Sequence, residues 1–253
     1  MSSTKNNRGD LESAFFNDGF QLASSILGDR PGEKAFFTLS GTLFHYIDSL
    51  VETIGDYDGE GNVRIDCKKG CARCCHQPVW ILPYEALHLA GYINEKLPAG
   101  VREEIAGRAA DKNRKTSAMK MNKIQQLKHP CPLLFNDACV AYEARPMACR
   151  IYLSLDVKSC ETEYKSPASK ASYPKLLEIT LRAGQMINEG VCSYLSKKGI
   201  SSCEWLLESS LNIIMTKPES FVQWLKGKET FRPRKLMSDE ERFLACYGVK
   251  RYI

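Results

Sequence analysis

The chain has 253 residues, 43% of them hydrophobic and 26% charged, with a formal net charge of +5. That balance excludes a wholly disordered chain and allows one large core or two small ones. No run of about 18 apolar residues occurs, and the opening "MSSTKNNRGDLESAFFNDGF" lacks a secretory leader's apolar core, so the expectation is a cytoplasmic protein that does not span a membrane.

Residues 1–28 read as a polar tail carrying at most one short helix around Phe15 to Leu27. From Pro31 to Ile54 the apolar positions Phe36, Leu43, Ile47, Leu50, Val51 and Ile54 recur at threes and fours, the period of an amphipathic helix. Pro83 to Leu97 repeats that pattern through Ala86, Leu89, Ala90 and Ile93, and further helices are expected over Ala99 to Leu127 and Tyr173 to Ser196. Between these last two, "CPLLFNDACVAY" sets Asn136 and Asp137 between short apolar runs, which predicts a hairpin turn. Thr216 with Glu219, and Ser238 with Glu241, have capping-box spacing and predict two short helices. There is no internal repeat, phosphate loop or βαβ alternation. The expected fold is therefore mainly α with at most a small hairpin: a single domain over 29–253, its cysteine-rich core at about 60–155 and a helical extension at 172–253.

Chemistry concentrates in the thiols. Four cysteines, Cys67, Cys71, Cys74 and Cys75, stand within nine residues, and Cys131, Cys139 and Cys149 follow. Eleven cysteines is an odd number for a closed disulfide framework, and a reducing compartment disfavours lasting disulfides, which leaves metal binding or redox chemistry. Soft thiolates without carboxylates nearby suit zinc or an iron–sulfur cluster, each held by four ligands. The adjacent pair Cys74 and Cys75 is awkward for one ion, because neighbouring side chains diverge by roughly 100° on a helix. The two cysteine segments are thus expected to meet despite 55 intervening residues. Seven thiolates with one histidine, His76 or His129, would make two four-ligand sites, while His45 and His88 read as surface residues. Cys160, Cys192, Cys203 and Cys246 read as small buried hydrophobes, Cys160 least clearly because its surroundings are polar.

The C-x3-C-x2-C-C cluster, "CPLL" and the string Y-x-x-R-P-x-x-C-R from Tyr142 to Arg150 together resemble the cysteine-cluster proteins of the YkgJ type, described as a zinc- or iron-chelating domain. The resemblance covers about residues 60–155 and implies a cysteine-held 4Fe–4S cluster or Zn2+. It also implies that Tyr142, Arg145 and Arg150 attend the bound group, the arginines by offsetting thiolate charge; Arg145 read structurally would instead pair with Glu143 or cap carbonyls. Similar cysteine motifs occur in flagellin lysine N-methylases, whose activity does not follow from the motif. Cys67, Cys71 and Cys74 also have the spacing of radical S-adenosylmethionine enzymes, but those set their cluster on repeated βα units, which this sequence lacks. The stretch 108–129 holds seven lysines and arginines against one aspartate with no interleaved aromatics, so it reads as a solvated helix face and not a nucleic-acid surface. Three classes remain: an enzyme with an open metal position, a closed structural zinc module, and an electron-transfer or metal-handling protein. No substrate is readable.

Overall fold

The computed structural model describes residues 3–55, 64–68, 70–167 and 173–231. Among these, ten α-helices and two short antiparallel ladders make the protein mainly α, as expected. No helix among them is long and apolar enough to cross a membrane.

The expected helices appear where apolar periodicity is strong: α2 (Glu33–Gly55) and α3 (Pro83–Lys96) bury Phe36, Leu39, Leu43, Ile47, Ala86, Leu89 and Ile93 on their inner faces. At the start of α3 the Glu85 carboxylate accepts the Leu82 amide at 2.8 Å, satisfying a donor that the helix leaves unpaired. Phe36 of α2 packs against Tyr84 of α3 and against Phe221 and Trp224 of α10 (Glu219–Leu225).

The expected tail is instead α1 (Ser3–Leu27), a 25-residue helix docked on α8 (Glu178–Lys197). The contact is backbone to backbone. A Cβ on Gly190 would sit 2.1 Å from the Phe16 carbonyl oxygen, and one on Gly19 would sit 2.1 Å from that of Ile187. Glycine alone permits this approach. The other glycine of α8, Gly184, lies against Ile151 and Met147 of α6 (Met147–Ile151), so α8 joins the N-terminal helix to a cysteine-bearing one.

Three boundaries differ from expectation. The helix expected over Ala99–Leu127 breaks into α4 (Ala99–Thr116) and α5 (Met121–Gln125), where the Thr116 and Ser117 hydroxyls turn back onto helix carbonyls. α8 starts at Glu178, not Tyr173, because residues 175–177 pair in extended form with 153–155 through the Leu155 amide to Lys175 and the Leu177 amide to Leu153. The Thr216–Glu219 capping box does not form: Thr216 ends α9 (Leu207–Thr216) with its hydroxyl on the Asn212 carbonyl, and Pro218 caps α10. Ser238 and Glu241 lie outside the described residues.

The predicted hairpin is present. β2 (Leu134–Phe135) pairs with β3 (Ala138–Cys139) through Asn136 and Asp137, whose φ values of 47° and 57° are those of a two-residue hairpin turn. The other ladder pairs β1 (Trp80–Ile81) with β4 (Trp205–Leu206) and draws the C-terminal part of the chain onto the cysteine loop.

Candidate metal centre

Each cysteine segment is held by its own backbone bonds. The Asp66 amide donates to the Ser154 carbonyl at 2.9 Å, and the Ser154 amide donates to Cys67 Sγ at 3.0 Å. Gly70 takes φ +93°, turning the chain into Cys71, whose amide closes on the Lys68 carbonyl. Cys74 and Cys75 open a 3-10 turn. Cys139 rides on β3, and Cys149 on the short helix α6 that follows Pro146.

The two segments meet as strands do. The Cys131 amide donates to the Cys75 carbonyl at 2.7 Å and the His129 amide to the His76 carbonyl at 2.9 Å. All seven predicted thiols, together with Tyr142 and Arg145, line one cavity of about 200 Å³.

An eighth thiol, Cys160, lies close to Cys67 without lining the cavity. Cys160 lies on α7 (Val157–Lys165), 8% exposed, and its charge is felt by Cys67 while it feels those of Cys71 and Cys74. α7 is pinned to the cysteine loop by Arg73 on Glu161 and by Gln77 and Lys128 on Glu163. The reading of Cys160 as a small buried residue fits its burial; its place beside Cys67 was not read, though it stands only eleven residues after Cys149.

Cys74 stands at the centre of the thiols, interacting with Cys67, Cys75, Cys139, Cys149 and Cys160. Cys67 and Cys160 interact with Cys71 and Cys74; Cys75 and Cys149 interact with Cys74 and Cys131, and Cys149 also with Cys139. Burial pushes the thiols up: Cys67 to about 11, Cys131 to about 12, and Cys139, Cys149 and Cys160 upward. Cys74 moves the other way, to about 7, because the Cys75 thiol hydrogen-bonds it and Arg145 lends positive charge. Backbone amides favour the thiolates of Cys131 (from Leu133) and Cys139 (from Ala141). Crowded, buried sulfurs that accept amide hydrogen bonds fit a cationic guest, which supplies the counter-charge their ionised forms need. Among the described residues no three His, Cys, Asp or Glu side chains converge on one point as a single ion requires. The sulfurs surround a space instead.

The other predicted residues separate. Arg145 stacks over the Tyr142 ring at 4.0 Å, donates to the Tyr142 carbonyl and lies 3.5 Å from Asp48. Arg150 is 3% exposed and does not line the cavity; it holds the Arg145 and Glu143 carbonyls and Asp48, and so fixes the turn that carries Arg145. Neither candidate histidine lines the cavity: His76 Nδ1 is 3.0 Å from the Ala72 carbonyl, and His129 Nε2 is 2.9 Å from Lys115 Nζ. His45 is exposed, but His88 is half-buried between Phe37 and Phe44 and is no surface residue. Of the remaining thiols, Cys192 is half-buried with its thiol toward the Ser202 carbonyl, Cys203 is buried and disulfide-bonded, and Cys246 lies outside the described residues. Lys112, in the stretch read as a solvated face, is 3% exposed; it donates to the His129 carbonyl and stands 3.8 Å from the buried Glu208 carboxylate, behind Cys131.

Residues 66–169 match the family model CxxCxxCC, whose description reads "Putative zinc- or iron-chelating domain". This segment resembles that zinc- or iron-chelating family. The CxxCxxCC match runs past the expected limit of 155 and takes in α7 with Cys160. No curated protein and no solved structure matches the chain.

Proposed function

We propose that the eight thiols from Cys67 to Cys160 hold an iron–sulfur centre of the 4Fe–4S kind. One observation carries the reading: seven of these thiols, all but Cys160, line a common cavity of about 200 Å³, and among the described residues no three ligand side chains converge as a single ion requires. A single ion displaces little more than one water, about 30 Å³ of liquid, whereas a polynuclear cluster fills such a space and spreads its ligands. Arg145 supplies compensating charge from the cavity wall, Tyr142 supports its guanidinium, and Arg150 positions both. When bound, the cluster supplies electron transfer or, at an iron with an open position, a Lewis acid.

The count of eight favours a second reading, a closed module with two zinc ions. Anaerobic purification separates them. Brown protein with iron, sulfide and absorbance near 400 nm supports the first; colourless protein with two zinc ions per chain supports the second. Residence in the cytoplasm is part of the proposal for the cavity thiols, which persist in reducing surroundings, and the Cys203 disulfide points the other way.

A further inference from the structure

A buried charge pair stands behind the thiol cavity without lining it. Lys112 of α4 is 3% exposed and donates to the His129 carbonyl at 3.2 Å, two residues before Cys131, which does line the cavity. Glu208 comes from beyond residues 66–169, in the first turn of α9, and is 1% exposed. Its neighbour fixes its place: the Leu207 amide donates to the Val79 carbonyl at 2.8 Å, and both of those residues line the cavity. Lys112 Nζ stands 3.8 Å from a Glu208 carboxylate oxygen, and among the described residues no hydrogen-bond donor reaches either oxygen. An apolar pair of similar size would often be as stable or more so, and stability alone therefore does not account for two charges here.

The two charges act on the nearest thiol in opposite senses. Burial pushes the Cys131 thiol up to about 12; the Lys112 charge opposes that rise more strongly than the Glu208 charge adds to it. Each thiol that takes up a metal gives its proton to water, so four thiolates around a divalent ion leave the site about two charges negative. A lysine charge close behind stabilises that state, and a carboxylate there destabilises it. We propose that Lys112 is a positioning residue for the metal centre, holding the Cys131 segment by the His129 carbonyl and offsetting thiolate charge, and that Glu208 tempers that charge. This role rests on the metal reading and is the same for iron and zinc. Through Glu208 the C-terminal helices gain a hold on a centre to which they contribute none of the eight thiols.

Full-length protein, purified anaerobically with the metal it carries, is challenged with a concentration series of EDTA, and Tm is measured on the same samples. Glu208→Gln leaves the lysine charge unopposed at similar side-chain size and should raise the EDTA concentration that removes half the metal about tenfold. Lys112→Met combined with Glu208→Leu, an apolar pair that keeps the fold, removes the stronger charge with the weaker and should lower that concentration about threefold. Where the metal is iron, titration with dithionite should show the one-electron equilibrium of Glu208→Gln shifted about tenfold towards the reduced centre, about 59 mV above the wild type. A pair that served the fold alone would give the opposite result in Glu208→Gln, a lower Tm with metal held no more tightly. That result in folded protein, or retention in the double variant at or above that of the wild type, would overturn the role of the pair. Where Glu208→Gln does not fold, the double variant decides by itself. A wild type that takes up no metal overturns the metal reading and this role with it, whereas a metal-loaded wild type whose variants retain metal equally overturns this role alone.

Discussion

The backbone amide of Cys131 donates to the carbonyl of Cys75 at 2.7 Å, joining two cysteine segments that stand 55 residues apart in the chain. That bond makes one site of two motifs. It also orders a set of substitutions: Cys71→Ser, Cys149→Ser and Cys160→Ser should each lower bound metal and raise protease sensitivity, because metal binding contributes to folding. Cys192→Ser, whose thiol faces the Ser202 carbonyl and which does not line the cavity, should keep its metal. Metal analysis of the four variants decides the matter, and full metal in Cys160→Ser would return the centre to seven thiols.

The α1–α8 contact predicts a contrast between glycines. Gly190→Ala forces a methyl group against the Phe16 carbonyl and should cost about 3 kcal/mol, the upper range for overpacking. Gly9→Ala, on the same α1 but with open space around it, should stabilise by about 1 kcal/mol through helix propensity. Denaturant melts of both give the answer, and equal effects would mean that α1 is not docked as described.

Much of this fold was legible because side chains signal it. The period of Phe36, Leu43 and Ile47 and the Asn136–Asp137 pair read directly as α2 and the hairpin. α1 was read short because its first turns are polar; Phe15, Ala23 and Leu27 are buried at multiples of four, but its docking also relies on backbone approach at Gly19 and Gly190, which carry no side chain to count. The seven thiols were found from spacing alone, but Cys160 was hidden in a polar stretch whose charges, Glu161 and Glu163, turn out to be the anchors of α7. Lys112 was misread for a related reason: its partner Glu208 is nearly one hundred residues away, and charge runs carry no sign of distant pairing.

That buried pair has its own consequence. Lys112 and Glu208 are 3% and 1% exposed, so Lys112→Met leaves a buried carboxylate without its cation and should cost about 3–5 kcal/mol. Lys112→Met with Glu208→Leu should recover most of that loss, since two apolar groups need no compensation. A double-mutant cycle by denaturant unfolding measures the coupling, and additive losses would show that the two charges do not interact.

Glu85 gives a pH dependence. Burial holds its carboxyl at about 7, well above the ordinary carboxylate value, although the Leu82 and Met147 amides both donate to it. The folded state therefore binds this proton more tightly than the unfolded chain does. Its stabilising contribution is complete at pH below the unfolded value and is lost as pH rises through about 7, a change of up to about 3 kcal/mol. The stability advantage of the wild type over Glu85→Gln should accordingly shrink from pH 6 to pH 8, with metal effects common to both cancelling. A constant or growing advantage would place the titration elsewhere.

X-ray absorption at the iron edge of anaerobically purified protein reads the thiol-held centre itself. A polynuclear iron–sulfur centre requires bound iron with a first shell of sulfur alone and a second shell of iron. Iron with a first shell of nitrogen and oxygen, or a chain that takes up no metal while its thiols are reduced, would contradict it.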